Sequence, residues 1–321
     1  MKMYIPNSVW LGNIDPFLRS FDTSNSHRLE ISTHKQWISI HPVVLSMVAA
    51  LGLDHKPEIL LEKLEAKSKH YLERIGLFKL LKVKSGIKVV AHEPSGRFIP
   101  LTQIKETEKL DTFIEDIIPL LHLEPKQAQP IRYIVSELVR NVFEHSESKI
   151  GAILCAQYYK KSNTIRLGIV DRGVGIKQTI SNSYPTTKND VDAIKLALTP
   201  GITGTTKRIG GTAQNVGAGL FFIKTIAKTN RDFFMIYSGK GMYKLLKTNT
   251  KQQVRLYANP QRDKHSTSNR FPFWQGTAIG IDLNLDSREE FNDLLNAIYF
   301  VFQKTVRVRR KEYYKKKARF I

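Results

Sequence analysis

The chain has 321 residues, 41% of them apolar, and a formal charge of +21. That is enough for one large or two ordinary domains with a sizeable core, and no apolar run approaches the ~20 residues of a membrane span. The one cysteine, Cys155, excludes an intrachain disulfide and a cysteine metal cluster. Met1–Trp10 carries Pro6 and Asn7 and no signal-peptide apolar region, so the expectation is a cytoplasmic protein of a reducing compartment. The positive charge is compatible with nucleic acid, acidic lipid or an acidic partner.

His27–Thr33 reads as a strand and Pro42–Leu53 as a helix with Pro in its first turn. Lys67–Leu81 reads as a second, amphipathic helix. Arg97–Ile104 fits a short strand that Pro100 would confine to a sheet edge. Residues 1–105 thus make a small α/β unit, and residues 106–301 a second domain. After the polar stretch Lys105–Lys109 a helix is expected over Leu110–Leu123. Pro125–Pro130 should break the pattern before a strong helix from Ile131 to about Ser146. Strands follow at Ile150–Tyr159 and Thr164–Val170, then a helix at Asp190–Leu198. Thr199–Gly219, rich in Gly and Thr, reads as a long mobile loop before a helix over Leu220–Thr229. Phe233–Ser238, Lys251–Ala258 and Thr277–Leu285 read as strands, and Gln261–Arg270 as a surface loop. A last helix starts near Ser287, with Glu290 completing a capping box, and runs into a basic tail at 302–321. From Gln303 to Ile321 there are nine Lys/Arg against Glu312 alone, so this end holds +8 of the charge.

Four segments carry candidate chemistry. On the helix Ile131–Ser146, Glu137, Asn141 and His145 recur every four residues and make a polar ribbon bordering the apolar stripe. A ligand seated between core and solvent would meet them. In IVDRGVGI, Ile169–Ile176, a β-run ends at Asp171 and Gly173 and Gly175 follow. Glycines allow close backbone approach, and a strand-end Asp can accept from an exocyclic amine. Gly217, Ala218 and Gly219 open the helix that begins at Leu220, where backbone N–H groups can hold phosphate. Gly276–Thr277 precedes the last strand. Neither a P-loop nor a dinucleotide fingerprint is present.

In their order and spacing these segments resemble the N, G1, G2 and G3 boxes of the GHKL ATPases, the family of gyrase B subunits, histidine kinases and MutL. The stretch E-L-V-R-N-V-F-E-H-S is a particularly close match, and the resemblance spans about Pro130 to Leu285. It implies an α+β fold, a two-layer α/β sandwich with helices on one face of a mixed, largely antiparallel sheet (the Bergerat ATP-binding fold), and ATP with Mg²⁺ as ligands. It further implies that Asn141 ligates Mg²⁺, Glu137 orients or deprotonates the attacking group, and Asp171 bonds the adenine amino group. Gly173, Gly175 and Ile176 would lie against the base, the amides of Gly217, Gly219 and Leu220 would meet phosphate, and Thr277 would support the adenine. Lys207, Arg208 and Lys224 are cations available near the lid. A magnesium ion keeps several waters and wants few oxygen ligands, which one Asn carbonyl and phosphate oxygens supply.

No His among His27, His34, His41, His55, His70, His92 and His122 sits in a histidine-kinase phosphoacceptor context, H-[ED]-x-x-x-P. Histidine kinases usually carry Asn where this chain has Glu137; hydrolysing members and anti-sigma serine kinases carry Glu. The segment around HPVVLSMVAALGL and HYLERIGLF is similar to the region preceding the ATPase in bacterial regulators associated with STAS-like domains. Three functions stay open. The first is an ATP-hydrolysing regulatory switch whose lid acts on a partner protein or on self-association. The second is an anti-sigma-type serine/threonine kinase, and the third a nucleic-acid-acting clamp that uses the basic tail.

Overall fold

A computed structural model describes residues 1–22, 29–34, 39–55, 66–86, 98–204, 206, 217–249, 254–286 and 290–317. The chain begins with β1 (Lys2–Ile5), β2 (Ser8–Val9), the short helix α1 (Asp15–Arg19), β3 (Glu30–Thr33) and β4 (Ser39–Ile40). β1 pairs with β3 and β2 with β4, both parallel. The helix α2 (Pro42–His55) follows; Val43, Val44, Leu45, Met47, Val48, Ala49, Ala50 and Leu51 are all buried, so it is enclosed on every side rather than amphipathic. The single helix expected at 67–81 is two, α3 (Ala66–Arg74) and α4 (Leu77–Leu81). Gly76 separates them at φ +85°, a backbone state no helix interior holds.

β5 (Phe98–Ile104) opens the main sheet, with a register shift around Pro100. α5 (Glu108–Thr112) is prolonged only by a π turn and a 3₁₀ turn, not by the regular helix expected to Leu123. The helix α6 (Pro125–His145) does not wait for Ile131. Pro125 occupies its first position, where no N–H is needed, and Pro130 gives up one intrahelical bond near the start. Then come β6 (Ala152–Tyr159), β7 (Thr164–Val170), α7 (Ile176–Ser183), α8 (Asp190–Ala197), α9 (Gly219–Thr229), β8 (Phe234–Gly239), β9 (Gly241–Leu245), β10 (His265–Ser268), β11 (Trp274–Asn284) and α10 (Phe291–Lys317). Residues 254–257 form no strand, and the first part of that expected element lies outside the described residues. β9 and β10 stand in its place, the latter inside the stretch read as a surface loop. The Ser287 cap also falls outside the described residues.

Among the described residues, seven strands form one sheet in the order β10-β9-β8-β11-β7-β6-β5, and every neighbouring pair is antiparallel. The expected mixed sheet is therefore corrected: among the described residues, parallel pairing occurs only in the two small N-terminal sheets. Pro100 does lie in an edge strand. One face carries Leu154, Leu167, Ile236 and Ile281 against α6 and α9, with α10 packed over those helices. The other face carries Ile153, Cys155, Met235 and Tyr237 against α2 and the N-terminal strands. Helices on one face alone would have left this second face to solvent; it is covered instead, and the architecture has three layers. Burial on both faces explains why β6 and β7 are mostly apolar rather than alternating, with Gln157 and Arg166 as the long polar interruptions.

Close contact between α2 and the sheet depends on two cross-strand glycines. Gly168 and Gly280 are paired in register, and a Cβ on Gly168 would come within 2.3 Å of the Val43 backbone. Beside them the buried His41 Nε2 lies 2.9 Å from Asp282 Oδ1, while His41 Nδ1 accepts from the Val43 N–H at 3.1 Å. That pattern fixes the neutral tautomer with its proton on Nε2. Burial lowers the His41 pKa despite the raising effect of Asp282.

Candidate functional site

The polar border of α6 faces a cavity of about 320 Å³. Glu137, Asn141 and His145 all line it, because four-residue spacing stacks them on one side of the helix. α9 begins directly opposite: a Cβ on Gly219 would stand 2.7 Å from Glu137 Oε2 and 3.7 Å from Asn141 Nδ2. The free N–H groups of the first turn of α9 therefore open beside a carboxylate and a carboxamide. The Asn141 side-chain nitrogen is buried and has no hydrogen-bond partner among the described residues. A half-turn of the amide presents its oxygen at the same point, so the group is poised for a ligand of either polarity. Burial pushes the Glu137 carboxyl up, Arg140 pulls it down, and Glu144 adds to the rise. The Arg140 guanidinium donates to Glu137 at 3.1 Å.

Farther along α6 the site changes character. Residues 171–175 cross the end of the helix at Ser146, nine residues beyond Glu137 and so about 13 Å along the axis. Gly173 is obligatory there, since a Cβ would fall 1.8 Å from the Ser146 carbonyl oxygen. Asp171 is 4% exposed, immediately past β7. Its carboxylate accepts from the Gly173 N–H at 2.8 Å, and the nearby Thr277 backbone N–H also favours its charged form. Burial pushes the carboxyl up to about 6, against the pull of those two N–H groups and Arg172. Gly175, at φ +81°, turns the chain into α7. Ser238 Oγ then ties the parts together: it accepts from the Ile176 N–H at 3.0 Å, donates to the Gly276 carbonyl at 2.7 Å and lies 3.5 Å from Thr277 Oγ1. Leu138, Ile169, Ile176 and Ile279 supply an apolar wall. The cavity thus offers a buried anionic acceptor in an apolar slot at one end, and N–H donors with polar side chains at the other.

The structure brings Glu137, Asn141, Asp171, Gly175, Ile176, Gly217, Gly219, Leu220 and Thr277 to this one cavity, with Gly173 directly behind Asp171. The foot of the Gly- and Thr-rich loop is closed by the Gly201 N–H donating to the Gly217 carbonyl at 3.1 Å. Residues 205 and 207–216, with Lys207 and Arg208, lie outside the described residues. Lys224 is a correction. Its ammonium is fully buried away from the cavity, donating to Asp263 at 2.5 Å and to the Tyr257 carbonyl at 3.3 Å. Lys228 binds the other oxygen of the same carboxylate. Sequence reasoning missed Arg140, Tyr133 and Thr203 on the cavity wall and Ser238 behind it. Arg140 stands one turn from Glu137 on the same helix and was open to discovery; Ser238 is found only through its register opposite Thr277. No group of three or more His, Cys, Asp or Glu among the described residues could hold a metal ion by itself. No helix of the described residues is long and apolar enough to cross a membrane. No protein-family model matches the chain, and no curated protein matches it.

Proposed function

We propose that the cavity binds ATP with Mg²⁺ in the manner of the GHKL ATPases and that the chain is an ATP-hydrolysing regulatory protein. One observation carries the reading: four segments far apart in sequence, at 137–145, 171–176, 217–220 and 277, converge on a single cavity. The antiparallel sheet with α6 and α9 on one face agrees with the sandwich of that family, here with an added N-terminal layer.

Each group has a task that its surroundings suit. The adenine would enter the apolar slot and donate its amino group to Asp171, which is ionised at neutral pH and held by the Gly173 N–H. The first amides of α9 would meet the phosphates, where the helix dipole favours negative charge. Asn141, with its unsatisfied buried amide, fits a Mg²⁺ ion that takes one protein oxygen and otherwise phosphate oxygens and water. The ion would offset phosphate charge. Glu137 faces the same end of the cavity. Its upward-shifted carboxyl is a better general base than an ordinary glutamate, because proton transfer is most efficient when the pKa lies near the working pH. A lid between Thr199 and Gly219 that closes on the nucleotide would then expose or hide a surface for a partner protein or a second copy of the chain.

Purified chain incubated with γ-labelled ATP, with and without cell lysate, tests this reading. Binding by calorimetry together with free labelled phosphate is the expected result. Label transferred to a protein in the lysate would move the function to a serine/threonine kinase acting through the same Glu137. Absence of ATP binding would overturn the proposal.

A further inference from the structure

α10 has two unlike sides. Leu294, Ile298, Phe302 and Val306, at four-residue intervals, are at most 7% exposed and pack into the core. About half a turn away run Phe300, Lys304, Arg307 and Lys311, spaced 4, 3 and 4 residues and therefore in one row. All four are exposed, Phe300 to 67%. Lys304, Arg307 and Lys311 form no ion pair among the described residues. The carboxylates closest in sequence are Asp293, two turns before Phe300, and Glu312 just beyond Lys311. Next to Phe300, Tyr299 is half-exposed and its ring stacks on the buried Phe302, centroids 6.1 Å apart at 13°. Half of the tyrosine stays open to solvent.

We infer that this outer row of α10 binds single-stranded nucleic acid. A row of unpaired cations on a rigid helix follows a phosphate backbone, and exposed rings beside it offer bases a surface on which to stack. The net charge of +21 adds long-range attraction for any polyanion. Lipid is the poorer occupant. An interfacial helix buries a broad apolar face in the bilayer, and α10 has already spent its apolar stripe on the core. Phe300 and Val308 are too little apolar surface to replace it.

The inference is independent of ATP and is tested without it. Fluorescence anisotropy of the full chain with labelled 20-nucleotide RNA and DNA, single-stranded and duplex, is measured across a salt series. Single strands should bind more tightly than duplex. Lys304→Glu, Arg307→Glu and Lys311→Glu together should weaken binding at least tenfold and reduce the salt slope by about 2, at ~0.7 per phosphate contact. Phe300→Ala should weaken binding about tenfold with the slope unchanged, and Phe300→Trp should restore it. Charge reversal of Lys160 and Lys161, exposed in the β6–β7 turn, should leave affinity within twofold. Circular dichroism checks that each variant is folded. Four results would overturn the assignment: no binding by the wild type, preference for duplex, a triple variant with an unchanged slope, or equal loss from the Lys160/Lys161 variant. Binding to phosphatidylserine vesicles but not to oligonucleotides would give the face to membranes instead.

Discussion

Replacing Asp171 with Asn should move stability and affinity in opposite directions. The carboxyl is buried and its pKa rises from 3.8 to about 6 on folding. A carboxylate with a raised pKa binds its proton more tightly folded than unfolded, so the folded state loses stability as pH climbs from about 4 to about 6 and stays weakened above that. Two units at ~1.4 kcal/mol each put the cost of the ionised group near 3 kcal/mol at pH 7. Asn carries no charge, and its oxygen still accepts from the Gly173 N–H at the same place. The variant should therefore be about 1–3 kcal/mol more stable than wild type at pH 7 and show no advantage at pH 4. Urea denaturation of both proteins at the two pH values measures this, and taking the difference removes His41, which titrates alike in each. ATP affinity should meanwhile fall about tenfold to a hundredfold, because the new amide can present a donor to the adenine amine, and a mispaired buried polar group costs about 1–3 kcal/mol. A less stable variant at pH 7 would refute the burial argument. Unchanged ATP affinity by calorimetry would refute the placement of adenine.

Glu137→Gln should leave ATP affinity within a few fold and lower phosphate release by about 10²–10⁴, the usual contribution of a general base; release at the full rate would remove Glu137 from the chemistry. Asn141→Ala should weaken nucleotide binding more in Mg²⁺ than in chelator, and equal losses in both would separate Asn141 from the metal. Gly168→Val would drive a side chain into the Val43 backbone, where even a Cβ would stand at 2.3 Å. Overpacking of this kind costs about 1–3 kcal/mol or more, so a drop in thermal midpoint is expected, and an unchanged midpoint would show that α2 can ride up without penalty.

β7 is legible residue for residue because burial on both faces leaves it apolar apart from Thr164 and Arg166, and Asn163, at φ +42° in the turn, marks where it starts. β10 is His-Ser-Thr-Ser, a sheet-edge strand held through its backbone to β9, and no hydrophobic pattern announces it. β9 was hidden differently. Gly239 and Lys240 make a tight turn that pairs Ser238 with Gly241, and the run after the turn is short. The site was readable because a ligand cavity is specified by residue types at fixed local spacing. What spacing within one segment cannot carry is a partner from elsewhere in the chain. Lys224 looked free beside a glycine-rich loop, yet four-residue phase places it with Lys228 toward Asp263, thirty-nine residues on. Ser238 and Thr277 meet only through strand register.

β11 has a mechanical consequence. It carries Thr277 at the cavity and, five residues on, Asp282, bonded to His41 at the foot of α2. At about 3.4 Å per residue those two points are some 17 Å apart on one hydrogen-bonded strand. β7, its neighbour in register, runs from Gly168 beneath α2 to Asp171 at the cavity's far end. The two antiparallel strands lie side by side, beneath α2 at one end and at the cavity at the other. Hydrogen-bonded continuity along these strands gives a displacement of α2 a route to Asp171 and Thr277. A substitution at His41 or Val43 is accordingly expected to alter affinity at the cavity, although neither residue lines it.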